Sequence, residues 1–388
     1  MSNLERVASL LSDLVARESV NPTLPGGQRG EIAVADYVSA FCERLGLEVE
    51  RQEVFPNRPN VIARLHAPRG RGALLLEAHT DTVPAGDMSD AFTPEVEDGR
   101  LYGRGACDTK GSLAAMLHAI EQLVQKADTL PCDVILLAAI SEEDGSFGAE
   151  AFLDLGIEVD GAVVGEPTDL RLVTAYKGVV RFRITTQGRA GHTSTPVPEE
   201  NAIYQAVEVV RALRTYADRL STSQMHPLVG PATLTVSRFH GGEVINVVPA
   251  TCDIDIDRRT LPNEVPEEVL ADVDQLLAEL MDQEPWITAR RTETIQIARG
   301  METVQGHPLL VALQRACLDA GLPTETQGVP YGTDASMLAG KGGIPSIVFG
   351  PGRISEAHSS REWVSLAQVA QASDILVRAV QHFQPRSD

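Results

Sequence analysis

Four short and nearly uniform apolar blocks constrain this chain more than any other feature: ALLLEA (73–78), DVILLAAI (133–140), GAVVGEP (161–167) and IPSIVFG (344–350). A strand with one wet face alternates apolar and polar residues. These do not, so they read as strands covered on both faces. Apolar residues at three- and four-residue intervals predict helices over 1–17, 30–46, 112–127, 148–156, 307–321 and 366–383. Strands and helices that take turns along a chain predict an α/β fold with a mostly parallel sheet.

The pattern changes in the middle of the chain. Residues 179–188 (VVRFRITTQG) alternate like a half-exposed strand, as do ATLTVSRFHGG and CDIDIDRRT, while 201–220 and 266–283 read as helices. Such a mixture predicts a separate α+β domain on a one-faced antiparallel sheet. A chain of 388 residues is also too long for one ordinary core. The expected organisation is a catalytic domain split over 1–177 and 293–388, with an inserted domain at 178–292.

The formal charge of −21 would repel phosphate backbones and anionic membranes, so neither nucleic acid nor a membrane surface is an expected partner. Most of these carboxylates read as solvated surface. The five cysteines, Cys42, Cys107, Cys132, Cys252 and Cys317, are odd in number, scattered and never in C-x-x-C spacing. They predict reduced thiols, a cytoplasmic location and no cysteine-built zinc site. No apolar run approaches the ~20 residues that span a bilayer. The N-terminus mixes acids with apolar residues and reads as a first helix, not a secretory leader.

Chemistry is expected where polar residues end the buried strands, because open α/β sheets place their sites at the carboxyl edge. His79 and Asp81 follow ALLLEA. Residues i and i+2 share a face of an extended segment, so the Asp81 carboxylate can accept from the second nitrogen of a ligating His79. Asp108 precedes a strong helix and is open to two readings: an N-cap, or a carboxylate turned inward by the tight path that Gly103, Gly105 and Gly111 permit. Glu142, Glu143 and Asp144 follow DVILLAAI, where three adjacent acids are either an exposed loop or a site that cations neutralise. Glu166 ends another strand, and His358 lies just beyond residues 344–350. Two imidazoles and three carboxylates suit two Zn²⁺, with Co²⁺ or Mn²⁺ as substitutes, and leave one Glu unbound as a base.

Taken in order from EAHTDTVP to FGPGRISEAHSS, these motifs resemble the acetylornithine deacetylase, succinyl-diaminopimelate desuccinylase, carboxypeptidase G and aminoacylase family of metallopeptidases. The resemblance spans nearly the whole chain. It implies that His79 and Glu166 bind one zinc, that Glu143 and His358 bind the other, and that Asp108 bridges them. It further implies that Asp81 orients His79, that Glu142 is the general base, and that the Asp108–Thr109 peptide is cis. The inserted domain becomes a lid that makes a homodimer and lends His192 to the partner's oxyanion. Asn246 and Arg259 become contacts to the substrate carboxylate, with Gly332 and Thr333 in a substrate-contacting loop. Ser141 stands where the family carries a further acid, and Arg258 beside Arg259 leaves the carboxylate clamp ambiguous.

The expected reaction is hydrolysis of an amide in a small N-acyl amino acid or short peptide, of deacetylase or desuccinylase type, with a dipeptidase or carboxypeptidase as the alternative. Rival classes fare worse. No G-x-S-x-G marks a serine hydrolase, and GKGG at 340–343 lacks the P-loop pattern. A dinuclear phosphatase would want basic residues around the phosphate, and a non-catalytic binding protein on the same fold should have lost a ligand or the base.

Overall fold

The computed structural model describes residues 2–385, which divide into two compact units. The first comprises the residues up to Thr174, Glu302–Gln327 and those from Thr333 onward; the second comprises Ala175–Met301 and Gly328–Gly332.

The first unit is built on a mixed nine-stranded sheet. Along seven of its strands the order is Glu48–Phe55, Arg58–Leu65, Asp133–Ala139, Ala73–His79, Gly161–Val164, Ser346–Val348 and Leu172–Tyr176. The predicted apolar blocks are the central four, and every pairing among them is parallel. Antiparallel pairings flank them on both sides. The hairpin of Glu48–Phe55 and Arg58–Leu65 was missed in the sequence because EVERQEVF is an edge strand rich in charge and carries no apolar block.

Each central strand is buried along its length, apart from Asp133 at the start of Asp133–Ala139. Leu74, Leu76 and Ala78 share a core with the helices Asn3–Val15, Ile32–Arg44, Lys110–Val124, Pro308–Asp319 and Leu366–His382. The alternate residues Leu75, Glu77 and His79 therefore point to the other face. This alternation puts one carboxylate and one imidazole of a single strand on the same side of the sheet.

The second unit holds a four-stranded antiparallel sheet in the order Thr233–Gly241, Thr251–Thr260, Gly178–Gln187 and Ala289–Ala298. Val180, Phe182, Ile184, Ile254 and Ile256 pack against Ala206, Val209 and Leu213 of the helix Ala202–Ser223 and against Val273 and Leu277 of Pro266–Gln283. The intervening residues form an ionic ladder on the opposite face. Arg181 pairs with Asp257 at 2.8 Å, Arg183 with Asp255 at 2.6 Å, and Thr185 donates to Asp253 at 2.7 Å. The alternating CDIDIDR sequence is thus one-faced, as its period of two requires. Among the described residues no helix is long and apolar enough to cross a membrane.

Candidate metal centre

Parallel strands ending side by side deliver the first donors. His79 closes its strand level with Ala139, so Ser141, Glu142 and Glu143 emerge beside it. Val164 pairs with Glu77, so Glu166 emerges on the other side.

His79 is only 2% exposed. Its Nδ1 lies 3.0 Å from the carbonyl oxygen of Asp81, which can only accept, so this nitrogen carries the proton. The Asp81 carboxylate is farther, at 3.4 Å. The Nε2 lone pair is thereby turned to Asp108 Oδ1 at 3.0 Å and Glu166 Oε1 at 3.9 Å. The Asp81 carboxylate has a second task that the sequence did not reveal. It accepts the backbone N–H groups of Glu142 at 3.1 Å and Glu143 at 3.2 Å, and the side-chain amide of Asn21 at 2.8 Å. One buried acid therefore holds both the His79 segment and the acidic loop.

Asp108 resolves the ambiguity about its role. The helix that follows begins at Lys110 with Thr109 as N-cap and no capping side chain, so Asp108 does not serve as a cap. Its Oδ1 faces His79 Nε2 at 3.0 Å and its Oδ2 faces His358 Nε2 at 3.2 Å. His358 Nε2 also lies 3.1 Å from Glu143 Oε1. The Asp108–Thr109 peptide is cis. Upstream, Gly105 takes φ +83°, and a Cβ there would sit 2.7 Å from Thr82 Cγ2, so only glycine fits.

The electrostatics have one theme. Burial, reinforced by the charges of Asp334, Glu143 and Asp108, pushes the Glu142 carboxyl well above the ordinary range. Burial and then Asp108 do the same to Glu166. Burial disfavours a charged His79 ring, yet its bonds to Asp108 and Asp81 raise it well above the usual imidazole value. Bonds to Asp108 and Glu143 lift His358 to about 10. Burial raises the Asp108 carboxyl, but the bonds from His358 and His79 outweigh it and hold it below the ordinary range. Without cations, such a group keeps its charge in check by holding protons on its acids and imidazoles.

Two further buried acids escaped sequence reading. Glu77 is 1% exposed and Asp334 likewise, and the two carboxyl groups face each other. Burial, then Asp334, drives Glu77 well up, and burial brings Asp334 to about 6. The signal for Glu77 was present: it is the only charged residue within ALLLEA.

The remaining predicted residues lie elsewhere. His192, Asn246 and Arg259 belong to the second unit. His192 pairs with Val247 across two short antiparallel strands, and the N–H of Thr193 donates at 3.3 Å to the carbonyl of Asn246, the turn residue just before Val247. Arg259 is partly exposed and its guanidinium grips Asp257. Arg258 is fully buried and bound to Glu264 and to the Arg259 carbonyl. Gly332 falls in the second unit and Thr333 in the first, where Thr333 Oγ1 accepts from the Ala335 N–H at 3.2 Å.

Among the described residues, ligand atoms of His79, Asp108 and Glu143 lie within 4.8 Å of one another, a group that could hold a metal ion. Residues 75–382 match the family model of peptidases M20/M25/M40. The chain belongs to this family. It is similar to the acetylornithine deacetylases of Myxococcus xanthus, at 31% identity over 98% of both chains, and of Vibrio campbellii, at 30% over 95% of this chain and 96% of that one. In fold it matches the aminopeptidase PepT of Bacillus cereus, with TM-score 0.80, 21% identity and 98% of both chains covered. As a member of the M20/M25/M40 family it is a metal-dependent hydrolase of amide bonds.

If Asp108 is the carboxylate shared between two ions, Asp108→Ala should retain well under one divalent ion per chain after zinc loading and desalting, read by atomic emission. A variant that still carries two ions would assign the metal to other side chains.

Proposed function

We propose that this chain is a two-zinc amidohydrolase of the cytoplasm that removes the acyl group from a small N-acyl amino acid. The observation that carries the reading is the Asp108 carboxylate, which presents one oxygen to each of two imidazoles contributed from opposite ends of the chain.

The donor set fits the ions. His79, Asp108 and Glu166 make one group, and His358, Asp108 and Glu143 make the other. Imidazole nitrogens and carboxylates without thiolates suit Zn²⁺, Co²⁺ or Mn²⁺. Cys107, the nearest thiol in sequence, is turned away and donates to the Arg353 carbonyl at 3.4 Å. Two bound divalent ions would polarise the scissile carbonyl and acidify a water.

The chain's own groups supply the rest. Asp81 fixes the backbone of Glu142 and Glu143 together. Glu143 turns to His358, and Glu142 is left to take a proton from the attacking water and return it to the leaving nitrogen. His192 is exposed, and the Ser194 N–H donates to its Nδ1 at 3.1 Å. The neutral ring therefore carries its proton on Nε2, which suits it to donate to an oxyanion. Arg259 serves the substrate carboxylate better than Arg258, because Arg258 is wholly buried in its own ion pair. Asn246, Gly332 and Thr333 complete the proposed substrate contacts. All five cysteines are buried and unbridged, which suits a reducing compartment.

Acetylornithine deacetylase relatives favour an acetyl or other small acyl group over a peptide. A panel of N-acetyl-, N-succinyl- and N-formyl-amino acids and dipeptides, assayed with zinc and with cobalt, should show the highest kcat/KM on an acylated amino acid. Preference for dipeptides would replace the reading by a dipeptidase, and phosphate-ester turnover alone would overturn it.

Glu142→Ala should keep wild-type metal content and lose at least about 100-fold in kcat, the usual worth of a positioned general base. Near-normal turnover would remove Glu142 from the mechanism.

We also infer a homodimer through the second unit. Its edge strand Thr233–Gly241 carries exposed Phe239, and Tyr204, Val244 and Ile245 expose apolar surface in the same unit. Sedimentation equilibrium at micromolar concentration should return twice the chain mass of 41.7 kDa. A single-chain mass would refute the dimer and leave the chemistry untouched.

A further inference from the structure

Glu362 is fully buried, yet its carboxylate is saturated with donors from one loop. Oε2 accepts from Arg104 Nη1 at 2.6 Å and from the Gly105 N–H at 3.0 Å. Oε1 accepts from the N–H groups of Cys107 at 2.8 Å and Asp108 at 3.0 Å. A carboxylate has about four acceptor sites, so none is left over. The Glu362 carbonyl adds a fifth tie, accepting from the Gly103 N–H at 3.1 Å. Residues 103–108 thus wrap around one residue, side chain and carbonyl together, that lies 254 positions from Asp108 in sequence.

How Glu362 reaches the loop follows from strand register. The short strand Trp363–Ser365 pairs antiparallel with Arg100–Tyr102, Trp363 opposite Tyr102. The residue before Trp363 therefore lies over the residue after Tyr102, where the loop begins. Glu362 is also four positions after His358. The same short segment supplies one imidazole of the candidate centre and the anchor for the carboxylate that faces it.

We propose that Glu362 is a positioning residue for the metal centre, holding the Asp108 backbone so that each Asp108 oxygen meets its own imidazole. The inference rests on the two-metal reading of Asp108. A loop that carries a bridging ligand must hold it within about 0.5 Å of its working place. This loop has no helix or ladder of its own up to Lys110, and Gly105 adds freedom. Glutamine has the same shape but a single acceptor oxygen. Its amide group would set N–H against N–H on one side, releasing two of the four donors. If Glu362 served only as the partner of Arg104 in a buried ion pair, Glu362→Gln would change stability and nothing at the metal.

The test titrates ion-free wild type and Glu362→Gln with Co²⁺ alone, read by calorimetry and by visible absorption, beside thermal unfolding of both ion-free proteins. Positioning predicts about 10–100-fold weaker Co²⁺ binding and altered ligand-field bands in Glu362→Gln, as for other outer supports of metal ligands. It also predicts a fall in kcat with KM little changed. Wild-type affinity and bands in the variant overturn the proposal, whatever the unfolding temperature. A wild type that binds no Co²⁺ instead overturns the metal reading itself. If the variant does not fold, hydrogen exchange in ion-free wild type decides: Gly105, Cys107 and Asp108 amides should exchange slowly and as a group, since one acceptor holds them. Fast or unrelated rates at these three amides overturn the proposal.

Discussion

Carboxylates crowded where water is excluded are the constraint on which the rest of the first unit depends. Two like charges about 4 Å apart repel by roughly 4 kcal/mol at the effective dielectric of a protein interior. Asp81, Asp108, Glu166, Glu77 and Asp334 are all buried in one region, with Glu142 and Glu143 beside them. Such a group forms only if its negative charge is offset, by protons held on the acids or by positive charge and donors brought to them. Imidazoles supply part of that charge, and hydrogen-bond donors supply more. Divalent cations are the compensation that fits the remaining oxygens.

The protein meets the constraint by giving each ligand-bearing loop an anchor from a remote segment. Asn21 and the Glu142 and Glu143 amides converge on Asp81. Arg58, paired with Glu31 at 2.6 Å, donates to the Ser141 hydroxyl at 2.6 Å. Ser141 sits in the left-handed region at φ +63°, and this contact steadies the turn that aims the two glutamates. The Arg–Glu pair is almost wholly buried, so neither partner is easily lost: a lone buried charge costs about 3–5 kcal/mol. A serine where the related motif carries an acid is therefore a specific hydrogen-bond partner.

Much of this was legible in the sequence. Unbroken apolar blocks marked buried strands, and His79, Glu142, Glu143 and Glu166 stood out because they end those strands. The chain does bring their side chains to one edge of one sheet. Less was legible in the loops. Whether Asp108 capped a helix or faced inward was undecidable, since both readings use the same residue before the same helix. Asn21, Arg58 and Glu362 gave no local sign of their roles, because each acts on a segment distant in the chain. The antiparallel hairpin at 48–65 was hidden for another reason: an edge strand keeps its charged residues and shows no apolar block.

By itself the sequence determined which segments are buried on both sides, which sheet has a single wet face, and which polar residues stand at strand ends. These follow from the period of side chains along a few residues, which burial imposes locally. Only the tertiary structure decided that Asp108 divides its oxygens between His79 and His358, that Asp81 grips the acidic loop, and that the buried carboxyls of Glu77 and Asp334 meet. Those pairings depend on strand order and on the paths of loops that bring together residues far apart in the chain, and a carboxylate's neighbours in space are not its neighbours in the chain.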